Sequence, residues 1–185
     1  MSRIYLIGYR GCGKSTVGPL LAARLGWAFV DADAELEARA GRTIAAIFRT
    51  DGEPAFRELE ASILRDLAAR ERLVVGTGGG AILREANREV LRATGFAVWL
   101  HAPAELLFAR MQSDASSHSR RPNLTAGGGF AEVQSLLAVR EPLYRAASHS
   151  TIDGSLSPDR ATAAILDAWN GLCSAAGSSS SSSSA

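Results

Sequence analysis

The chain predicts a three-layer α/β fold: a parallel five-stranded sheet with helices on both faces. Three observations predict it. Short apolar runs alternate with longer segments of helical apolar spacing along most of the 185 residues, the order that parallel strands joined by helical crossovers require. The first apolar run ends in a glycine-rich stretch, "GYRGCGKST", that opens directly into a helical pattern. Two further polar stretches, "DAD" and "GTGGG", also follow apolar runs, and open parallel sheets hold their ligands at such strand ends.

Each element has its own signal. Arg3–Ile7 is a short apolar run closed by glycine, a buried strand. Lys14–Leu25 carries helical spacing at Val17, Leu20, Leu21 and Leu25, and Gly26 stops it. Trp27–Val30 reads as the second strand. Asp33–Ala40 is a short helix ending at Gly41, and Thr43 caps another that runs through Phe48. Asp51-Gly52 marks a turn before a long amphipathic helix from about Pro54 to Arg70. Leu73–Val75 is the third strand, Arg84–Ala93 a helix, Phe96–Leu100 the fourth strand and Ala104–Met111 a helix. From Ser113 to Gly129 the residues turn to Ser, Gly and Arg with few large apolar side chains. Such a stretch cannot cover a core, so a mobile lid over about 113–129 is expected. Phe130–Arg145 returns to helix, Ser150–Ile152 is a short last strand and Pro158–Trp169 a last helix. Residues 174–185, "SAAGSSSSSSSA", are low in complexity and expected to be a disordered tail, leaving 1–173 as one domain.

Composition narrows the function classes. Fractions of 46% hydrophobic and 21% charged residues fit a soluble globular protein. A formal net charge of +1 offers no basic field, so no nucleic-acid partner is expected. Arg3, Arg10 and Lys14 interrupt the early apolar residues, so neither a signal peptide nor a membrane span is expected. Cys12 and Cys173 stand at opposite ends of the chain, which suits a reducing cytoplasm better than a disulfide or zinc framework. Of 20 Lys and Arg residues only Lys14 is a lysine. Arginine-biased codon use accounts for most of this, but the exception falls where a compact ammonium fits a phosphate cradle better than a planar fork.

Gly8-x4-Gly13-Lys14-Ser15 matches the P-loop pattern in its strand-to-helix setting. Backbone N–H groups of Gly11, Cys12 and Gly13 would turn onto the phosphates of ATP, aided by the helix N-terminus. Lys14 would bridge the β- and γ-phosphates, the Ser15 hydroxyl would ligate Mg2+, and Thr16 would lie near the α-phosphate. Cys12 reads as a small filler. With no second lysine, the Asn-Lys-x-Asp guanine reader of GTP switches cannot be present. The third strand ends in "GTGGG" rather than the acidic pair of a motor ATPase. A small P-loop kinase remains. Asp31 and Asp33 follow the second strand two residues apart, and both can lean into one cleft. One would orient Mg2+ through water and the other accept a hydroxyl proton. A helix cap and a first-turn acid would account for the pair equally well.

In this combination the chain resembles the shikimate kinase family from Ile4 to about Trp169. The motifs are the P-loop, Asp31-x-Asp33, "GEPAFRELE" with Arg57, "TGGG", a lid with "RRP", and "REPLY" at Arg140–Tyr144. The resemblance implies a nucleoside-monophosphate-kinase-like fold and transfer of the γ-phosphoryl of ATP to the 3-hydroxyl of shikimate. It makes Asp33 the catalytic base and a shikimate ligand. Arg57 and Arg140 become a clamp on the shikimate carboxylate, where forked cations give paired charge-assisted bonds. Gly78, Gly79 and Gly80 would let the backbone approach the ring, Gly79 most directly. Asp31 would help hold Mg2+. Lid residue Arg121 would close on the ATP phosphates, Arg110 would lie near the adenine, and Ser157 would fall in the adenine-side loop. A place in aromatic amino-acid biosynthesis follows; with no obvious oligomer interface in the sequence, a monomer is the default expectation. The lid departs from the family pattern in "RRPNL" and in the run Gly127–Gly129.

Other readings stay open from the residues alone. Arg57 could simply pair with Glu53 or Glu60 on a helix face, Arg140 could pair with a nearby acid, and Arg110 could be a surface residue at a helix end. His101, His118 and His149 are scattered and read as structural, and Trp27, Trp99 and Trp169 as packing. A gluconate-type kinase, a nucleoside monophosphate kinase and a non-catalytic ATP-binding module are the competing classes.

Overall fold

The computed structural model describes residues 2–113 and 129–178. Five strands, β1 (Arg3–Ile7), β2 (Ala28–Asp31), β3 (Leu73–Gly76), β4 (Phe96–His101) and β5 (Ser150–Asp153), form one sheet in the order β2-β3-β1-β4-β5. Every neighbouring pair is parallel. The connections carry α1 (Lys14–Leu25), α2 (Ala32–Ala40), α3 (Ile44–Ala68), a 3-10 turn (Ala81–Leu83), α4 (Glu85–Thr94), α5 (Ala104–Ser113) and α6 (Gly129–Ala147), and α7 (Pro158–Ser178) follows β5.

Strand alternation divides the core. Ile4, Leu6, Val74, Val98 and Leu100 point to one face and pack with Val17 and Leu21 of α1, Leu107 of α5, and Ile165 and Trp169 of α7. Tyr5, Ile7, Leu73, Val75, Ala97 and Trp99 point to the other, against Phe56, Ile63 and Leu67 of α3 and Leu91 of α4. The near-continuous apolar strands follow from this, since a parallel sheet buried on both sides needs apolar residues at odd and even positions alike. Helix α6 reaches both faces: Val133 and Leu137 join the first cluster, Tyr144 and Ala147 the second.

Register sets the site. Asp31 lies opposite Gly76, and Gly76 opposite Leu6. The three polar stretches that follow β1, β2 and β3 therefore begin at the same level, at the carboxyl edge of the sheet.

Several element boundaries shift by a residue or two from expectation, and three differences carry information. Asp31 ends β2 and caps α2, which begins at Ala32 rather than Asp33. The two helices expected around Asp51-Gly52 run on as one element, broken at Gly52 (φ 80°). The last helix continues past Trp169 to Ser178, into the low-complexity stretch. Its alanines favour helix. The expected lid lies outside the described residues except at its two ends, as do Arg121, His118 and the end of the serine run.

Candidate active site

The phosphate cradle is backbone held in unusual conformations. Gly8, Gly11 and Gly13 have φ of 142°, 78° and 102°, values that side chains resist. Gly13 precedes α1 with no side-chain cap, so the first N–H groups of that helix are left for an anion. Lys14 folds back over the loop and donates to the carbonyls of Gly8 (2.8 Å) and Tyr9 (3.0 Å). Ser15 and Thr16 stand exposed on the first turn, and Cys12 is buried. Arg110 braces the loop from outside, donating to the carbonyls of Gly11 (3.2 Å) and Gly154 (2.8 Å).

The acidic pair performs two tasks. One carboxylate oxygen of Asp31 accepts from the backbone N–H of Asp33 (2.9 Å) and of Ala34 (3.2 Å). The helix-start reading therefore holds for Asp31. Both carboxylates still line the same cleft as Lys14 and Ser15.

Arg57 stands against the "GTGGG" turn, and Arg140 against the phosphate loop. Arg57 is bound by two acids on its own helix: Nη1 to Glu60 at 2.8 Å and Nη2 to Glu53 at 2.9 Å. Burial opposes the Arg57 charge, and the two carboxylates outweigh it, so its pKa lies above the usual arginine value. The guanidinium rests on Gly80, where a Cβ would lie 2.7 Å from Nη1. Gly80 is thus small because an arginine occupies its space. Arg140 is 8% exposed and lies over the Tyr9 ring, 5.6 Å from its centroid. The Tyr144 hydroxyl donates to the Gly79 carbonyl at 2.6 Å. Burial raises the Tyr144 pKa, with Arg140 opposing the rise, so the hydroxyl keeps its proton and remains a donor.

A cleft of about 470 Å3 joins the cradle to the acidic pair; it is lined by the loop from Arg10 to Thr16, by Asp31 and Asp33, and by Gly79 and Arg110. Arg57, Gly78, Gly80 and Arg140 are not among its lining residues; Arg57 rests on Gly80, next in the chain to Gly79, and Arg140 on Tyr9, next in the chain to Arg10. Ser157 lies outside the cleft and caps α7, its hydroxyl accepting from the Arg160 N–H at 3.4 Å. Its neighbours Leu156 and Pro158 line the cleft instead.

Sequence reasoning missed four contributors. Thr77 ties the end of β3 to β1 by donating N–H (3.0 Å) and hydroxyl (3.2 Å) to the Leu6 carbonyl. Tyr9, Tyr144 and Gly154 shape the loop and its surroundings. Tyr9, Thr77 and Tyr144 sit inside or beside motifs already singled out. An aromatic residue within a glycine loop was the available signal for Tyr9.

A phosphate cradle with its lysine, two acids at the neighbouring strand end, and this strand order define a P-loop small-molecule kinase. The family model for shikimate kinases matches residues 10–170. A shikimate kinase of Rhodopirellula baltica is 47% identical over 152 residues, 82% of this chain and 81% of that one. The solved shikimate kinase of Acinetobacter baumannii, in complex with shikimate, is 38% identical with a TM-score of 0.83 over 94% of each chain. A gluconokinase from Sinorhizobium meliloti shares the fold alone, at 21% identity and a TM-score of 0.53 over 92% of this chain and 95% of that one. The chain belongs to the shikimate kinase family.

Proposed function

We propose that the protein transfers the γ-phosphoryl of ATP to the 3-hydroxyl of shikimate, giving shikimate 3-phosphate and ADP. The observation that carries this reading is a phosphate cradle and Asp33 in one cleft, with two largely enclosed arginines beside it, Arg57 seated on Gly80 and Arg140 on the ring of Tyr9. A cradle alone serves many acceptors. Two forked cations beyond it suit an acceptor that carries a carboxylate.

The reaction breaks the bond between the γ-phosphorus and the oxygen bridging it to the β-phosphate. It forms a bond from the 3-oxygen to the same phosphorus, and the hydroxyl proton passes to Asp33. Little covalent help is needed, so positioning and charge carry the rate. Lys14 would exchange the Gly8 and Tyr9 carbonyls for phosphate oxygens. Gly11, Cys12, Gly13, Ser15 and Thr16 would surround the phosphates through the loop and the first turn of α1. Arg57 and Arg140 would fix the carboxylate and so aim the 3-hydroxyl, with Gly78, Gly79 and Gly80 allowing the ring close to the backbone. Arg110 would support the nucleotide side, with Ser157 in the adenine-side loop, and Arg121 would close from the lid.

Mg2+ prefers one or two carboxylates, phosphate oxygens and retained water to a full protein cage. The Ser15 hydroxyl and the Asp31 carboxylate, on one cleft, fit that demand. When bound, the ion would neutralise charge on the β- and γ-oxygens. The same reading makes the enzyme a cytoplasmic monomer; among the described residues no helix is long and apolar enough to cross a membrane. Phosphorus NMR of a mixture with ATP, Mg2+ and shikimate tests the reaction. A new phosphomonoester signal coupled to a ring proton supports it; inorganic phosphate as the only product would overturn it.

A further inference from the structure

Tyr9 occupies the first variable position of the phosphate loop, yet it is only 2% exposed. Loop residues usually face water. Its backbone carbonyl accepts from Lys14 at 3.0 Å, and its ring lies beneath Arg140 at 5.6 Å. One residue thus touches the cation of the nucleotide side with its backbone and a cation of the acid side with its ring.

The two clamp arginines are restrained by opposite means. Arg57 is held by the carboxylates of Glu53 and Glu60. Among the described residues no carboxylate pairs with Arg140, and an aromatic face lies under it instead. A ring attracts a guanidinium through its quadrupole, most strongly when the pair is desolvated. Both partners are buried here. A ring also leaves the charge uncompensated and takes none of the N–H donors, so those not engaged by the Tyr144 hydroxyl remain for a carboxylate. The Tyr9 hydroxyl is buried without a hydrogen-bond partner among the described residues, so the ring face makes the contact.

We propose that Tyr9 is a positioning residue for the acid substrate: its ring fixes the Arg140 guanidinium from one face without taking N–H donors that the incoming carboxylate needs. The role rests on the shikimate kinase reading above. Separate steady-state KM values for shikimate and ATP, with melting temperatures, test it in wild type, Tyr9→Phe and Tyr9→Leu. A desolvated cation–ring contact corresponds to a rise of about five- to thirty-fold in the shikimate KM of Tyr9→Leu. The ATP KM should stay within about twofold, and Tyr9→Phe, which keeps the ring, should restore the shikimate KM. In an Arg140→Ala background, Tyr9→Leu should add nothing further. The proposal is overturned by an unchanged shikimate KM in Tyr9→Leu, by equal rises in both KM values, or by a Phe variant that behaves like Leu. If Tyr9→Leu does not fold, Tyr9→Met takes its place, and failure of both would make the residue a packing element and overturn the proposal. A wild type that leaves shikimate untouched would sink the kinase reading and the Tyr9 role together; an active wild type with the wrong variant pattern sinks the Tyr9 role alone.

Discussion

The two halves of the proposed site, a nucleotide side and an acid side, are built by different means. The nucleotide side comes from one unbroken stretch, Gly8 to Thr16, whose proposed binding groups are backbone N–H and one lysine. The acid side draws Arg57 from α3, Gly79 and Gly80 from the turn after β3, and Arg140 from α6. Its geometry depends on side chains holding side chains: Glu60 on Arg57, Tyr9 under Arg140, Tyr144 on the Gly79 carbonyl. A contiguous backbone site is preset by its own glycines. A dispersed one is preset only once the sheet order has brought its parts together. Substitutions on the acid side should therefore separate the two substrates kinetically.

Asp33→Asn should have the largest effect, because it removes the proposed proton acceptor while leaving the cradle intact. The turnover number should fall by about 10²- to 10⁴-fold, the usual worth of a positioned general base, with the KM for ATP kept. A near-normal kcat would remove Asp33 from the chemistry.

Gly80→Ala should come next. Its Cβ would intrude to 2.7 Å from Arg57 Nη1 and push the guanidinium off its seat without deleting the charge. Small misplacements of this kind cost up to about 100-fold, so a shikimate KM roughly tenfold higher is expected with the ATP KM preserved. Equal rises in both would show that the two sides are not separable.

Gly95→Ala tests the other extreme, far from both sides. Its Cβ would meet the Tyr5 ring at 2.6 Å and the Arg3 carbonyl oxygen at 2.9 Å. Overpacking there should lower stability by about 1–3 kcal/mol in denaturant titration, with kcat of the folded enzyme unchanged.

The smallest effect concerns pH. The His149 Nδ1 accepts from the Ala97 N–H at 3.1 Å, and burial, with Arg92 nearby, lowers its pKa from 6.5. The unfolded chain then binds this proton more readily than the folded one. Stability from this group is full above the unfolded value and is lost as pH falls through the folded one. Thermal unfolding should show an acid-side loss below about pH 6.5 that shrinks in His149→Asn.

The same contrast explains what could be read in advance. The strand-helix alternation, the P-loop and the acid pair were legible because their signals are local: apolar periodicity, glycine spacing, and carboxylates two residues apart. That Asp31 would serve α2 as a cap was one of two readings left open, and the N–H bonds from Asp33 and Ala34 decide for it. The motif containing Arg57 was visible, but its seat on Gly80 was not, since only the fold brings α3 against the turn after β3. Tyr144 reaches Gly79 across 65 positions of chain, and no local pattern encodes such a contact. The end of α7 escaped for another reason: low complexity was read as coil, whereas alanine-rich sequence also propagates a helix already begun.

Coupled ADP release, measured in parallel with shikimate, gluconate and nucleoside monophosphates as acceptors, tests the central claim most directly. The two-sided site predicts a kcat/KM for shikimate at least about 100-fold above every other acceptor, because buried polar groups left unpaired reject the wrong ligand. A rate with gluconate or a nucleotide equal to that with shikimate, or no release above the ATP-only background, would contradict it.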